Sequence, residues 1–187
     1  MALYLFIITL GGCLIAAINA VCFGEWGLCF AVTFSGIVLE ILIDGITAAG
    51  CRLLPKKCLP YEAKIFAVDA KEKRFYERLK IRKWKDRIPE IGHLTGFRKN
   101  KIADPKSLEY VERFLLEIRY GQVVHFISLF SGFLLCFALF FPVVRLSVVL
   151  PICIVNFFLN LLPIFTLRYN GYKLNVLYQA NKKRSLR

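Results

Sequence analysis

The residues best suited to chemistry stand where a polar stretch runs into an apolar one: Glu117-Ile118-Arg119-Tyr120-Gly121-Gln122-Val123-Val124-His125. His125 is one of 2 histidines in the chain. It lies at the mouth of a long apolar run, where an imidazole can take a proton from a hydroxyl near neutral pH. Glu117, Gly121 and His125 are spaced four apart, so a helix lines them on one face with a gap in the middle. Glu117 is two turns, roughly 12 Å along a straight helix, from His125. It therefore cannot orient the imidazole unless the helix breaks at Gly121, and it is assigned to substrate or to Arg168. The alternative for His125 is structural: a hydrogen bond to a neighbouring helix.

A second group closes the last apolar run: Asn160, then Arg168-Tyr169-Asn170. A fixed cation or an amide suits a developing oxyanion, a role open to Arg168 or Asn160. If the two spans form a tight hairpin, both groups converge at one depth. A base, a carboxylate, a cation and amides at a membrane-level cleft suit acyl transfer. The third group is Arg82-Lys83-Trp84-Lys85. A basic, aromatic-edged helix suits an anionic membrane surface or phosphates; the plainer reading is a solvated or lipid-hugging positive face. Glu40 and Asp44 lie four apart inside an apolar run. Acids there are costly and usually face an interior, a cavity or a partner, although Asp44 is near enough to the end to reach the interface.

Composition says what must position these residues. The chain is 57% hydrophobic, with a mean hydropathy of +0.56, too apolar for an ordinary soluble domain. Its net charge of +13 is uneven. Residues 52–122 hold 19 Lys/Arg against 10 Asp/Glu, and the tail from Arg168 holds 6 Lys/Arg and no acid. A nucleic-acid binder would not have such long charge-free runs, so no nucleic acid is expected. The seven cysteines include no CxxC pair and read as small apolar side chains, with no metal site and no disulfide framework. The chain has no G-x-S-x-G, Walker loop or H-E-x-x-H.

Four apolar runs are long enough to cross about 30 Å of hydrocarbon, at residues 3–23, 28–50, 123–144 and 146–167. Leu10-Gly11-Gly12-Cys13 resembles a lipoprotein cleavage box, but no charge precedes it and a second run follows at once, which favours a span. The expected architecture is an all-α integral membrane protein with two transmembrane hairpins and a basic lobe between them. Residues 1–51 form the first hairpin, 52–122 the amphipathic lobe, 123–170 the second hairpin and 171–187 a basic tail. Within the lobe, Pro55 and Pro60 impose an extended entry. Asp69-Ala70-Lys71-Glu72 is a capping box opening a helix to about Lys85. Pro89 ends it, and a basic loop containing His93 follows. Asp104-Pro105 signals the next helix, with Leu108, Val111, Leu115 and Ile118 as its apolar stripe. That helix is expected to run into the third span with a bend at Gly121, Pro163 to bend the fourth, and the tail to be a fraying interfacial helix. Lys/Arg-rich segments stay cytoplasmic, so the lobe, the tail and both termini face inward in a cell membrane.

Taken together, Arg82-Lys83-Trp84-Lys85, Glu117 followed at eight by His125, and Asn160-Leu161-Leu162-Pro163 running into Arg168-Tyr169-Asn170 resemble the glycosyl-4,4′-diaponeurosporenoate acyltransferase family. Arg52 with Pro55 belongs to the same pattern, which covers about residues 50–177. The family is named for the last step in making staphyloxanthin, acylation of a hydroxyl on a glycosylated carotenoid. The chain departs from the pattern at Asp86, at Gly171-Tyr172 and before about residue 30.

The resemblance implies a membrane acyltransferase that moves a fatty acyl group from an acyl thioester to a hydroxyl of a glycolipid. His125, Glu117 and Arg168 are the expected catalytic residues. Trp84, Lys85, Arg82, Arg119, Asn160, Tyr169 and Asn170 are expected to bind substrate. The thioester is a co-substrate, carried by coenzyme A or an acyl carrier protein, and no cofactor is expected. Membrane lipids and a second copy of the chain are further expected partners. The rival readings are a non-enzymatic subunit that recruits a partner through the basic lobe, and a small lipid or solute carrier in which Glu40 and Asp44 matter most.

Overall fold

In a computed structural model, which describes residues 2–60, 63–88 and 102–185, the chain is helical, with no strand among those residues. The expected basic loop around His93 lies outside the described residues. The helices are α1 (Ala2–Phe23), α2 (Trp26–Arg52), α3 (Ala70–Arg78), α4 (Ile81–Trp84), α5 (Leu108–Ser131) and α6 (Leu146–Ser185). A 3-10 segment, Gly132–Phe140, continues α5. Four stretches are long and apolar enough to cross a membrane: Leu5–Phe23, Trp26–Arg52, Leu108–Phe140 and Leu146–Ser185. Along them Phe6, Leu14, Val21, Ile46 and Phe137 are each more than half exposed. Water would penalise such a surface, whereas lipid matches it. The protein is an all-α integral membrane protein.

The chain divides into two compact units. The first comprises Met1–Gly50 and Ile127–Asn160. Gly24, at φ +77°, makes the turn from α1 into α2 in the left-handed region that a side chain disfavours. The core of this unit is Leu135, Val148, Val149, Ile152 and Cys153, with Ile15, Val32 and Ile37 packed against it. Asn19, the polar residue of α1, is answered by Ser147: its amide donates to the Ser147 carbonyl at 3.4 Å and its carbonyl accepts from Ser147 Oγ at 2.5 Å. Arg145 in the turn before α6 pairs with Glu25 at 3.0 Å and lies over the Phe23 ring.

The second unit comprises Cys51–Phe126 and Leu161–Arg187. Here the apolar stripe of α5, Val111, Phe114, Leu115 and Ile118, packs against Leu174 and Tyr178 of α6. Helix α6 runs beyond Pro163 as one helix to Ser185, so the expected tail helix is its last part. A proline within an apolar helix removes one backbone bond, which tertiary packing offsets. The α5 helix likewise runs unbroken through Gly121. It begins at Leu108 rather than at Pro105, because Asp104 Oδ1 accepts from the amides of Lys106 and Ser107 in a turn of its own. Ser107 then caps the helix by accepting from the Tyr110 amide at 3.1 Å.

Asp69 caps the helix as expected, its Oδ1 accepting from the Glu72 amide at 2.7 Å, while the Glu72 carboxylate turns to Tyr76 and Arg168 and does not complete the box. The helix Asp69 opens is shorter than expected. It stops at Arg78, and Lys80 adopts the left-handed conformation at φ 53° before α4 begins. The Trp84 indole donates back to the Leu79 carbonyl at 2.9 Å and closes this corner. Tyr76, Ile81 and Tyr169 form the buried cluster beneath it, with Val68, Trp84 and Phe165 around them.

Candidate active site

The expected catalytic and substrate-binding residues belong to the second unit except Asn160, which lies in the first with Glu40 and Asp44. The lobe precedes α5 in sequence, and its irregular segments have carbonyls that no helix satisfies. Polar side chains of α5 and α6 satisfy them. Arg119 is buried and donates to the Leu59 carbonyl at 2.8 Å. Tyr120 donates to the Leu54 carbonyl at 2.8 Å, and the Arg52 guanidinium lies 5.2 Å from its ring centroid. Arg119, expected to meet substrate, ties the extended entry around Pro55 and Pro60 to α5.

Arg168 does the same from α6. Its Nε and Nη2 engage the two carboxylate oxygens of Glu72, the second at 2.7 Å. Its Nη1 donates to the Ile65 carbonyl at 2.7 Å and Nη2 also to that of Ala67 at 3.1 Å. A bidentate guanidinium of this kind is a strong and directional fastener. Tyr76 completes the group by donating to Glu72 Oε1 at 2.5 Å. Burial works against the charged form of Glu72, but the bonds from Arg168 and Tyr76 outweigh it and hold the carboxyl below its ordinary range. Tyr76 is pushed up, first by its burial and then by the Glu72 carboxylate.

Glu117 was expected to meet substrate or Arg168. It pairs with Arg52 at 2.6 Å, since Arg168 is taken by Glu72. Because α5 is continuous, Glu117 stays two turns from His125. The notch at Gly121 is filled from α6: a Cβ there would stand 3.0 Å from Leu167 Cδ1. Tyr169, also expected at substrate, is fully buried and its hydroxyl accepts from Arg82 Nε at 2.5 Å. Lys173 stands over the Tyr169 ring at 4.8 Å. Trp84 belongs to the cluster around Tyr169, while Lys85 pairs with Asp86 at 2.8 Å. Asn170 is half-buried one residue on.

Asn160 lies in the first unit, where its amide donates to Asp44 Oδ2 at 3.3 Å and to Asn156 Oδ1 at 2.8 Å. His125 is half-buried on α5. One turn before it, Gln122 is 6% exposed, its side-chain carbonyl makes no hydrogen bond among the described residues, and its amide reaches α6 beside Gly171. Sequence reasoning passed over Gln122, and also over Arg52 and Glu72 as partners. The available signal for Gln122 was its spacing of three from His125, together with a glycine on the facing helix.

A family model described as glycosyl-4,4′-diaponeurosporenoate acyltransferase matches residues 61–180. None of the curated proteins and none of the solved structures compared with the chain matches it. The matched stretch contains Glu72, Arg82, Glu117, Gln122, His125 and Arg168, and it is more than half of the chain. The chain therefore belongs to the glycosyl-4,4′-diaponeurosporenoate acyltransferase family and is an acyltransferase.

Proposed function

We propose that the chain transfers a fatty acyl group from an acyl thioester to a hydroxyl of a glycosylated lipid, with His125 as the general base. The observation that carries this reading is the position of His125, a half-buried imidazole where the charged part of α5 gives way to its apolar part. A glycolipid in the bilayer presents its sugar at that depth. His125 takes the hydroxyl proton as the oxygen attacks the thioester carbonyl. The new C–O bond forms, the C–S bond breaks, and the imidazolium returns the proton to the leaving thiolate. Gln122, on the same helix face one turn earlier, offers its amide to the developing oxyanion.

Arg168 and Glu117 are positioning residues in this reading, through Glu72 and Arg52. The Lys/Arg excess of the lobe suits the phosphates of coenzyme A or the acidic surface of an acyl carrier protein. The same excess favours a cytoplasmic lobe and cytoplasmic termini. The test is direct: purified protein in lipid nanodiscs, a glycosyl carotenoid acceptor, and palmitoyl thioesters of coenzyme A and of acyl carrier protein. Mass spectrometry should find the acceptor heavier by one acyl group with at least one donor. No transfer from either thioester would overturn the donor assignment.

A further inference from the structure

Within the second unit, cations from α3, α4 and α6 converge on two tyrosines. Arg82 Nε donates to the Tyr169 hydroxyl at 2.5 Å. Lys173, one turn further along α6, stands over the same ring at 4.8 Å. Lys73 of α3 lies 5.7 Å from the Tyr172 ring centroid. Lys73 Nζ and Arg82 Nη2 both reach Glu77 Oε1, each at 3.3 Å, so these two charges stand side by side.

The charges of this cluster do not cancel. Three cations face the single carboxylate of Glu77, because Glu72 on the same helix is taken by Arg168. Lys173 is exposed and forms no ion pair among the described residues. The Arg82 side chain is 64% exposed although its Nε is anchored on buried Tyr169. Like charges gathered this closely repel, and a bound anion relieves the repulsion. Ammonium and guanidinium donors held on rigid phenol rings suit a phosphate, which offers several acceptor oxygens at once.

The level of the cluster on α6 bears on where that phosphate comes from. A Cβ at Gly121 would meet Leu167 and one at Gly171 would meet Gln122, so α5 and α6 run antiparallel side by side. His125 lies four residues beyond Gly121 on α5, and Lys173 lies six beyond Leu167 on α6, in the opposite direction. Their levels are therefore about 15 Å apart along the helix axes. The arm between the sulfur and the phosphorus of a phosphopantetheine has that reach when extended.

We propose that Lys73, Arg82 and Lys173 bind the phosphate of the phosphopantetheine arm, the part that coenzyme A and acyl carrier protein share, with the sulfur at the level of His125. This rests on the thioester donor proposed above and names the residues that recognise it. A lipid headgroup offers the same phosphate chemistry, and the test separates the two sources.

The test is isothermal titration of the full chain in phosphatidylcholine nanodiscs with 4′-phosphopantetheine, and with pantetheine as the probe that lacks the phosphate. Phosphopantetheine should bind roughly tenfold tighter or more, the factor expected of one charge-assisted hydrogen bond. The double variant Lys73→Gln with Lys173→Gln should lose most of that margin. Lys183→Gln, an exposed lysine ten residues further along α6, should keep it. Equal affinity for the two probes in the wild-type chain, or an unchanged margin in the double variant, overturns the assignment. Adding phosphatidylglycerol to the discs at high ionic strength, where the general surface field is screened, should leave the margin as it was. A margin abolished by the anionic lipid makes this a headgroup site and also overturns it. None of these readings depends on turnover. The expected binding without acyl transfer would sink the reaction and keep the site, whereas transfer with equal probe affinities would sink the site and keep the reaction.

Discussion

Glu72 is held by two donors that lie on different elements, Tyr76 within its own helix and Arg168 on α6. Its folded carboxyl is depressed below the ordinary 4.5, so its contribution to stability is complete at neutral pH and is lost as pH falls below that value. Tyr76 is raised above its ordinary 10, so its contribution is complete up to that pH and is lost above it. The contribution of this pair to the thermal midpoint in detergent should therefore be flat across neutrality and fall on both sides. Glu72→Gln should lose on the order of 2 kcal/mol at pH 7 and flatten the acid limb. An acid limb equally steep in wild type and variant would remove Glu72 as its cause. None of this pairing was legible in the sequence. Glu72 and Arg168 are 96 residues apart, Arg52 and Glu117 are 65 apart, and each of these charges had other partners within reach. The candidate residues themselves stood out by type. What the sequence could not say is that most of them fasten the lobe.

The long helices were legible because uninterrupted apolar runs have few alternatives in a chain this hydrophobic. The cap at Asp69 was legible because its signal is local. The corner at Lys80 was not, since it contains neither glycine nor proline and depends on Trp84 bonding back to Leu79. A lysine at φ 53° carries strain that glycine avoids. Lys80→Gly should leave stability unchanged or raise it by up to about 1 kcal/mol, as read from thermal unfolding. A clear loss would mean that the lysine side chain, and not its backbone, makes the corner. Gly121 is the opposite case. Its neighbour Leu167 is 3.0 Å from where a Cβ would stand, so Gly121→Leu should destabilise by about 1–3 kcal/mol by forcing α5 and α6 to repack. A variant as stable as the parent would show that this contact is loose.

For the whole molecule, charge and hydropathy together set the expected orientation and the expected donor. Substituting Lys83 and Lys85 with glutamine should raise the apparent KM for acyl-coenzyme A several-fold at low ionic strength and weaken its salt dependence, with kcat little changed. An unaltered KM would return these lysines to the role of a solvated face. The central claim is that one imidazole, placed where α5 leaves water, removes the acceptor proton. Its most direct test is the turnover of His125→Gln in nanodiscs beside the wild-type chain. Glutamine keeps a hydrogen-bonding side chain of similar reach but accepts no proton at neutral pH. The account predicts a loss of about 10²–10⁴-fold in kcat with unchanged thermal stability. Turnover close to the wild-type rate would contradict it and leave His125 a structural residue.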